Sequence, residues 1–128
     1  MNLLLDTHLL LWAAGEPQRL SAKTRTLLLD PANQLVFSSA SLWEVSIKNG
    51  LERPDFMVDP RRLWRMLQIN GYRELPVTSE HTVAVNDLPP LHKDPFDRLL
   101  VAQARVEGLT LLTADKAVAK YGVGVRKV

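Results

Sequence analysis

Cysteine is absent from the 128 residues, which excludes disulfide frameworks, thiolate zinc sites and cysteine nucleophiles together and fits a reducing compartment, the cytoplasm. Long apolar runs are missing too. A charge arrives at Asp6, before a signal-peptide hydrophobic region forms, and the run at 9–14 is far too short to cross a bilayer; no membrane association is expected. There is no internal repeat, low-complexity tract or linker. His8, His81 and His92 have neither i,i+4 spacing nor a zinc motif, so surface or core roles are expected of them. His92 and Lys93 stand out because they precede Asp94, within reach of a phosphate. Ser38, Ser39 and Ser41 lack a Gly-x-Ser-x-Gly context, which argues against a serine hydrolase. A strong net charge is also lacking: +2 with an isoelectric point near 9.2 permits a polyanionic partner without requiring one.

What is present is an ordinary globular composition, 46% hydrophobic and 23% charged. The length suits one domain over 1–128, large enough to bury a core. A modest basic bias lies between 46 and 73, where Lys48, Arg53, Arg61, Arg62, Arg65 and Arg73 outnumber Glu52, Asp55 and Asp59. A solvated helix face is the plain explanation. Trp12, Trp43 and Trp64 are expected as core or interface anchors, with stacking on an unpaired base as the alternative.

Short apolar runs alternate with helical patterns, the signature of a parallel sheet covered by helices. Strands are expected at 2–5, 35–37, 72–77 and 109–112, with an edge strand at 123–128. Helices are expected at 7–14, from the Ser21 cap to Leu29, from Ser39 to Asn49-Gly50, from Asp59-Pro60 to Asn70-Gly71, at 79–88, from Asp94-Pro95 to Gly108, and at 114–121. The expected result is an α/β three-layer sandwich with a central, mostly parallel sheet of about four to five strands.

In such sheets ligands bind beyond the carboxyl ends of the strands, where strand order reverses. Asp6 follows the first strand and Asp115 the fourth; if these strands are neighbours, their carboxylates meet, with Asp97 joining from a helix start and Glu44 from the helix after strand two. Unit charges about 4 Å apart repel by about 1 kcal/mol in water and about 4 near a protein surface, so such a cluster either keeps a proton or recruits a cation. Oxygen ligands without cysteine favour Mg²⁺ or Mn²⁺ over zinc, and such an ion equips a site to hydrolyse a phosphodiester. Each acid also has an ordinary explanation. Asp6, Asp94 and Asp115 read as helix caps, Asp115 together with Thr113; Glu44 fits a capping box over 41–44 or a pair with Lys48; Asp97 suits a helix dipole.

Four segments in order, LLLDTHLLLWAA, SSASLWEVSIKNG, HKDPFDRLLVAQA and GLTLLTAD, resemble PIN-domain ribonucleases of the VapC type, the toxins of prokaryotic toxin–antitoxin pairs. The resemblance runs nearly end to end. It implies a PIN fold and a Mg²⁺-dependent endoribonuclease (Mn²⁺ as alternative), with Asp6, Glu44, Asp97 and Asp115 as catalytic and metal-binding acids and Thr113 accompanying the last. Thr113, Lys93 and Arg98, with the basic 46–73 region, would contact RNA, cut in single strands or loops where bases are accessible. It further implies a homodimer and a cognate antitoxin, through which alone operator DNA would be met, with Trp12, Trp43 or Trp64 lining a groove for an antitoxin helix. Two rivals stand beside it. A phosphorylatable receiver-like domain wants an acidic pair after strand one and an acceptor aspartate after strand three, where this chain has lone Asp6 and Thr78-Ser79. The other is a non-catalytic PIN-fold module that only binds protein.

Overall fold

The computed structural model describes residues 1–51 and 58–128, so Glu52, Arg53 and Asp55 of the basic segment lie outside the described residues. Strand β1 (Asn2–Leu5) sits at the centre of the sheet, and Leu3, Leu4 and Leu5 are all fully buried. That run is continuously apolar because both sheet faces are covered, while the two-residue period sends neighbours to opposite sides. Leu4 packs with Val36, Leu100, Val101 and Leu111 on one face. Leu3 and Leu5 pack with Phe37, Leu112, Leu9, Leu63 and Leu67 on the other. Truncating Leu4 to alanine would cost about 2–5 kcal/mol through the cavity left behind.

The remaining elements follow in chain order: α1 (Thr7–Gly15), α2 (Ala22–Leu29), β2 (Gln34–Ser38), α3 (Ser39–Gly50), α4 (Pro60–Ile69), β3 (Arg73–Leu75), α5 (Ser79–Ala84), α6 (Pro95–Glu107), β4 (Thr110–Thr113), α7 (Lys116–Ala119) and β5 (Val125–Lys127). The sheet has five strands, all parallel, in the order β3-β2-β1-β4-β5. Helices α5 and α6 with the Val118 turn cover one face; α1, α4 and Val45 of α3 cover the other. This is the expected three-layer α/β sandwich. The receiver rival loses its footing here, because its flavodoxin-like sheet runs 2-1-3-4-5. No helix among the described residues is long and apolar enough to cross a membrane.

Local chemistry sets most boundaries. Asp94 caps α6, with Pro95 in its first turn, and Gly108 ends it in the left-handed conformation (φ 68°). Ser21 and Asp59 cap α2 and α4 as their positions predict. Four elements are shorter than expected. β3 stops before Pro76, which has no N–H for the ladder. The helix from Ser79 tightens into a 3-10 turn at Val85–Asp87, α7 is a single turn beyond its Asp115 cap, and β5 pairs with β4 only over Val125–Lys127.

Candidate functional site

The chain builds β1, β2 and β3 outward to one side, then returns to place β4 and β5 on the other. Strand order therefore reverses between β1 and β4, and Asp6 and Asp115 follow their carboxyl ends. The ladder pairs Leu5 with Leu112, and the Asp6 N–H continues it by donating to the Leu112 carbonyl at 3.1 Å.

Asp6 does two jobs at once. Its Oδ1 accepts the Leu9 N–H at 2.9 Å, which caps α1, while its Oδ2 accepts the Thr113 hydroxyl at 2.6 Å. Burial pushes the carboxyl above its usual range, and the nearby Asp115 charge adds to that; the Thr113 and Leu9 hydrogen bonds and His8 only partly offset them. Thr113 is fully buried, and its hydroxyl also accepts the Asp115 N–H at 3.0 Å. Asp115 in turn caps α7 by accepting the Ala117 N–H at 2.7 Å.

Asp97 stands in the first turn of α6, where Asp94 Oδ1 accepts its N–H at 3.1 Å and that of Phe96 at 2.8 Å. Its Oδ2 lies 2.8 Å from His92 Nε2. Burial pushes the Asp97 carboxyl up to about 6 against the opposing His92 hydrogen bond, and the charges of Asp94, Asp6 and Glu44 push in the same direction. The Asp115 charge acts on Asp6, and the Asp6 and Glu44 charges act on Asp97, which places these four acids in one electrostatic neighbourhood. Ligand atoms of His92, Asp97 and Asp115 lie within 4.8 Å of one another, a span that one cation with bonds of roughly 2.0–2.6 Å bridges.

Glu44 lies on the buried side of α3. Its Oε2 accepts from Lys48 Nζ at 2.8 Å, and its Oε1 is buried without a hydrogen-bond partner. An orphaned carboxylate oxygen is costly and is the local feature that best fits a cation. Carboxylates arranged in this way could hold a divalent cation, with the His92 imidazole as a further nitrogen donor. Behind the acids, the Thr7 hydroxyl donates to Ser41 Oγ at 2.9 Å, tying the start of α1 to α3.

One local expectation is overturned. Ser41 does not begin a capping box with Glu44: the cap of α3 is Ser38, whose Oγ accepts the Ala40 N–H, so Glu44 is an interior helical residue. Thr113 is fully buried, and its hydroxyl links the Asp6 carboxylate to the Asp115 amide. The Arg98 guanidinium donates to the carbonyls of Pro89 and Val85 and to the Tyr121 hydroxyl. Lys93 is exposed in the loop before α6. His92, expected at most beside a phosphate, is instead the direct partner of Asp97; its five-residue offset across the Asp94-Pro95 helix start matches no standard ligand spacing. Two apolar grooves of about 380 and 430 Å³ lie away from the acids, against α1 and α4, and share Ala14 and Met66. None of the three tryptophans lines either.

Fold and crevice together define a doubly wound α/β protein whose switch point gathers coupled carboxylates. The PIN domain pattern matches residues 3–124, and the chain belongs to the PIN domain family. It is 29% identical over 116 residues to Ribonuclease VapC22 of Mycobacterium tuberculosis, covering 90% of this chain and 88% of that one. Among solved structures it is similar to the VapBC2 complex of Rickettsia felis bound to a promoter DNA fragment, with a TM-score of 0.71 and 17% identity over 100% of this chain and 99% of that one. It is also similar to VapBC-1 of nontypeable Haemophilus influenzae, with a TM-score of 0.64 and 16% identity over 100% and 97%. At those identities the likeness is one of fold.

Proposed function

We propose that this protein is a Mg²⁺-dependent endoribonuclease, with Mn²⁺ as a substitute, that hydrolyses RNA phosphodiester bonds as the toxin of a type II toxin–antitoxin pair. Residues 1–128 form one nuclease domain, acting in the cytoplasm as a homodimer. The observation that carries this reading is the convergence at the β1/β4 switch point, where ligand atoms of His92, Asp97 and Asp115 lie within 4.8 Å of one another, Thr113 joins buried Asp6 to the Asp115 amide, and a Glu44 oxygen is orphaned. Its family and its 29% identity to a ribonuclease support it.

Asp6, Glu44, Asp97 and Asp115 would hold the ion, which when bound supplies charge neutralisation at the phosphate and a more acidic water. The chain's own part is orientation: Thr113 and the Leu9 amide fix Asp6, and His92 fixes Asp97. Lys93, exposed at the head of α6, is suited to a phosphate contact, and Arg61, Arg62 and Arg65, exposed on α4, to longer-range attraction of RNA. Arg98 and Thr113, which the resemblance also places at the substrate, are both hydrogen-bonded within the protein. The apolar grooves beside α1 and α4 suit a helix of an antitoxin; complexes of that kind are what the similar solved structures contain.

The purified protein should cleave RNA with Mg²⁺ or Mn²⁺ and stop with EDTA. Asp6→Asn and Asp97→Asn should each lower cleavage by at least about a hundredfold, the scale of losing an essential electrostatic group, while circular dichroism stays native. Cells expressing the parent should arrest unless a small partner protein is co-produced, and the two variants should be harmless. Variants that unfold while the parent's cleavage survives EDTA would leave the acids as caps alone.

A further inference from the structure

Trp43 leaves 61% of its surface exposed, although so large an apolar side chain is usually well buried. It is not isolated. Its ring meets that of Phe96 at a tilt of 71°, with centroids 5.3 Å apart, the edge-to-face arrangement aromatic pairs favour. Trp43 immediately precedes Glu44, and Phe96 immediately precedes Asp97, whose carboxyl feels the Glu44 charge. Helices α3 and α6 are in contact, so this aromatic pair bridges them within one residue of the crevice acids, and exposed Lys93 heads the same helix. The other two tryptophans are placed differently. Trp12 lies under the Arg19 guanidinium at 4.8 Å, and Trp64 stands on α4; neither adjoins a crevice acid in sequence.

We propose that Trp43, braced by Phe96, is a platform on which an unpaired base of the RNA stacks when the neighbouring phosphate enters the crevice. The inference rests on the nuclease reading and deepens it by naming a contact: an unpaired nucleotide gripped by its base face rather than by a sequence code. Base-on-aromatic stacking tolerates any base and contributes strongly per nucleotide. A duplex offers no free face to receive it. Phe96 holds the indole in place, so less side-chain freedom is lost on binding.

The test uses a Trp12→Phe, Trp64→Phe background, which leaves Trp43 as the single indole, combined with Asp97→Asn to prevent cleavage. Titration with a short unstructured RNA should quench Trp43 fluorescence. In an Asp97→Asn protein with its other tryptophans intact, Trp43→Ala should weaken binding about tenfold, and Trp43→Phe should recover most of the loss. Against a series of the same RNA made abasic at each nucleotide in turn, one position should abolish the difference in affinity between the protein that keeps Trp43 and its Trp43→Ala variant. In the cleaving protein, Trp43→Ala should raise KM with kcat nearly unchanged. Equal RNA affinity of parent and Trp43→Ala overturns the proposal, as does a loss no abasic position removes. A shift in oligomeric state with unaltered RNA affinity also overturns it and makes the ledge a protein contact. If the parent neither binds nor cleaves RNA, the nuclease reading itself fails; if it cleaves and Trp43→Ala cleaves alike, only the platform fails.

Discussion

A carboxylate has two oxygens, and at Asp6 they serve different ends. Oδ1 caps α1 and Oδ2 meets the Thr113 hydroxyl, so the choice between helix cap and crevice acid is not a choice. Thr113 is the pivot of this arrangement, because its hydroxyl donates to Asp6 and accepts from the Asp115 amide. Thr113→Val preserves shape but leaves a buried oxygen and an amide without their partner. It should lower stability by about 1–3 kcal/mol in denaturant unfolding and depress cleavage well beyond what that stability loss explains. Thr113→Ser, which keeps the hydroxyl, should restore most of both. Equal activity of the valine and serine variants would deny Thr113 any positioning role.

At the scale of elements, α6 concentrates the ambiguity, because its first turn holds both Asp94 and Asp97. The hydrogen bonds separate them: Asp94 Oδ1 takes two backbone N–H groups, whereas Asp97 turns to His92. Asp94→Ala should therefore cost about 0.5–2 kcal/mol of stability, the range for a lost cap. Asp94→Asn keeps the cap, removes a charge that raises Asp97, and should retain cleavage; a loss as deep as that of Asp97→Asn would make Asp94 a ligand. The same helix marks what sequence can and cannot convey. Its start, its glycine end and its apolar face are legible because caps and 3.6-residue spacing are local rules. Strand order is not, yet the apolar runs at β1 and β4 and the acid after each are enough to pose the right condition, that the two strands be neighbours. The contacts of Arg98 and His92 escape the sequence for one shared reason: both are set by the chain between α5 and α6, whose carbonyls at Val85 and Pro89 hold the Arg98 guanidinium and whose course sets His92 against Asp97. The capping box over 41–44 fails because β2 runs directly into α3, so the cap falls on Ser38 at the strand's end.

For the molecule as a whole, a net charge of +2 conceals a local excess of negative charge, and folding is what brings it together. Asp97 titrates near 6 in the folded chain against an ordinary 3.8, so between those values the folded state holds a proton that the unfolded state has lost. Its contribution to stability is fully present below about 4 and is lost as pH rises through about 6; Asp6 is shifted in the same direction. The metal-free protein should accordingly show a melting temperature that falls across that window, with a slope that Asp97→Asn reduces. A cation that binds only the folded state reverses the loss. At about 100 times its dissociation constant Mg²⁺ stabilises by about 2.7 kcal/mol, roughly 10 °C for a chain of this size. The gain should be full at pH 7.5 and shrink toward pH 5, where binding must first displace a proton. Calorimetry with and without EDTA reads both effects, and a melting temperature indifferent to Mg²⁺ at pH 7.5 would mean that the gathered acids are relieved by something other than a hard cation.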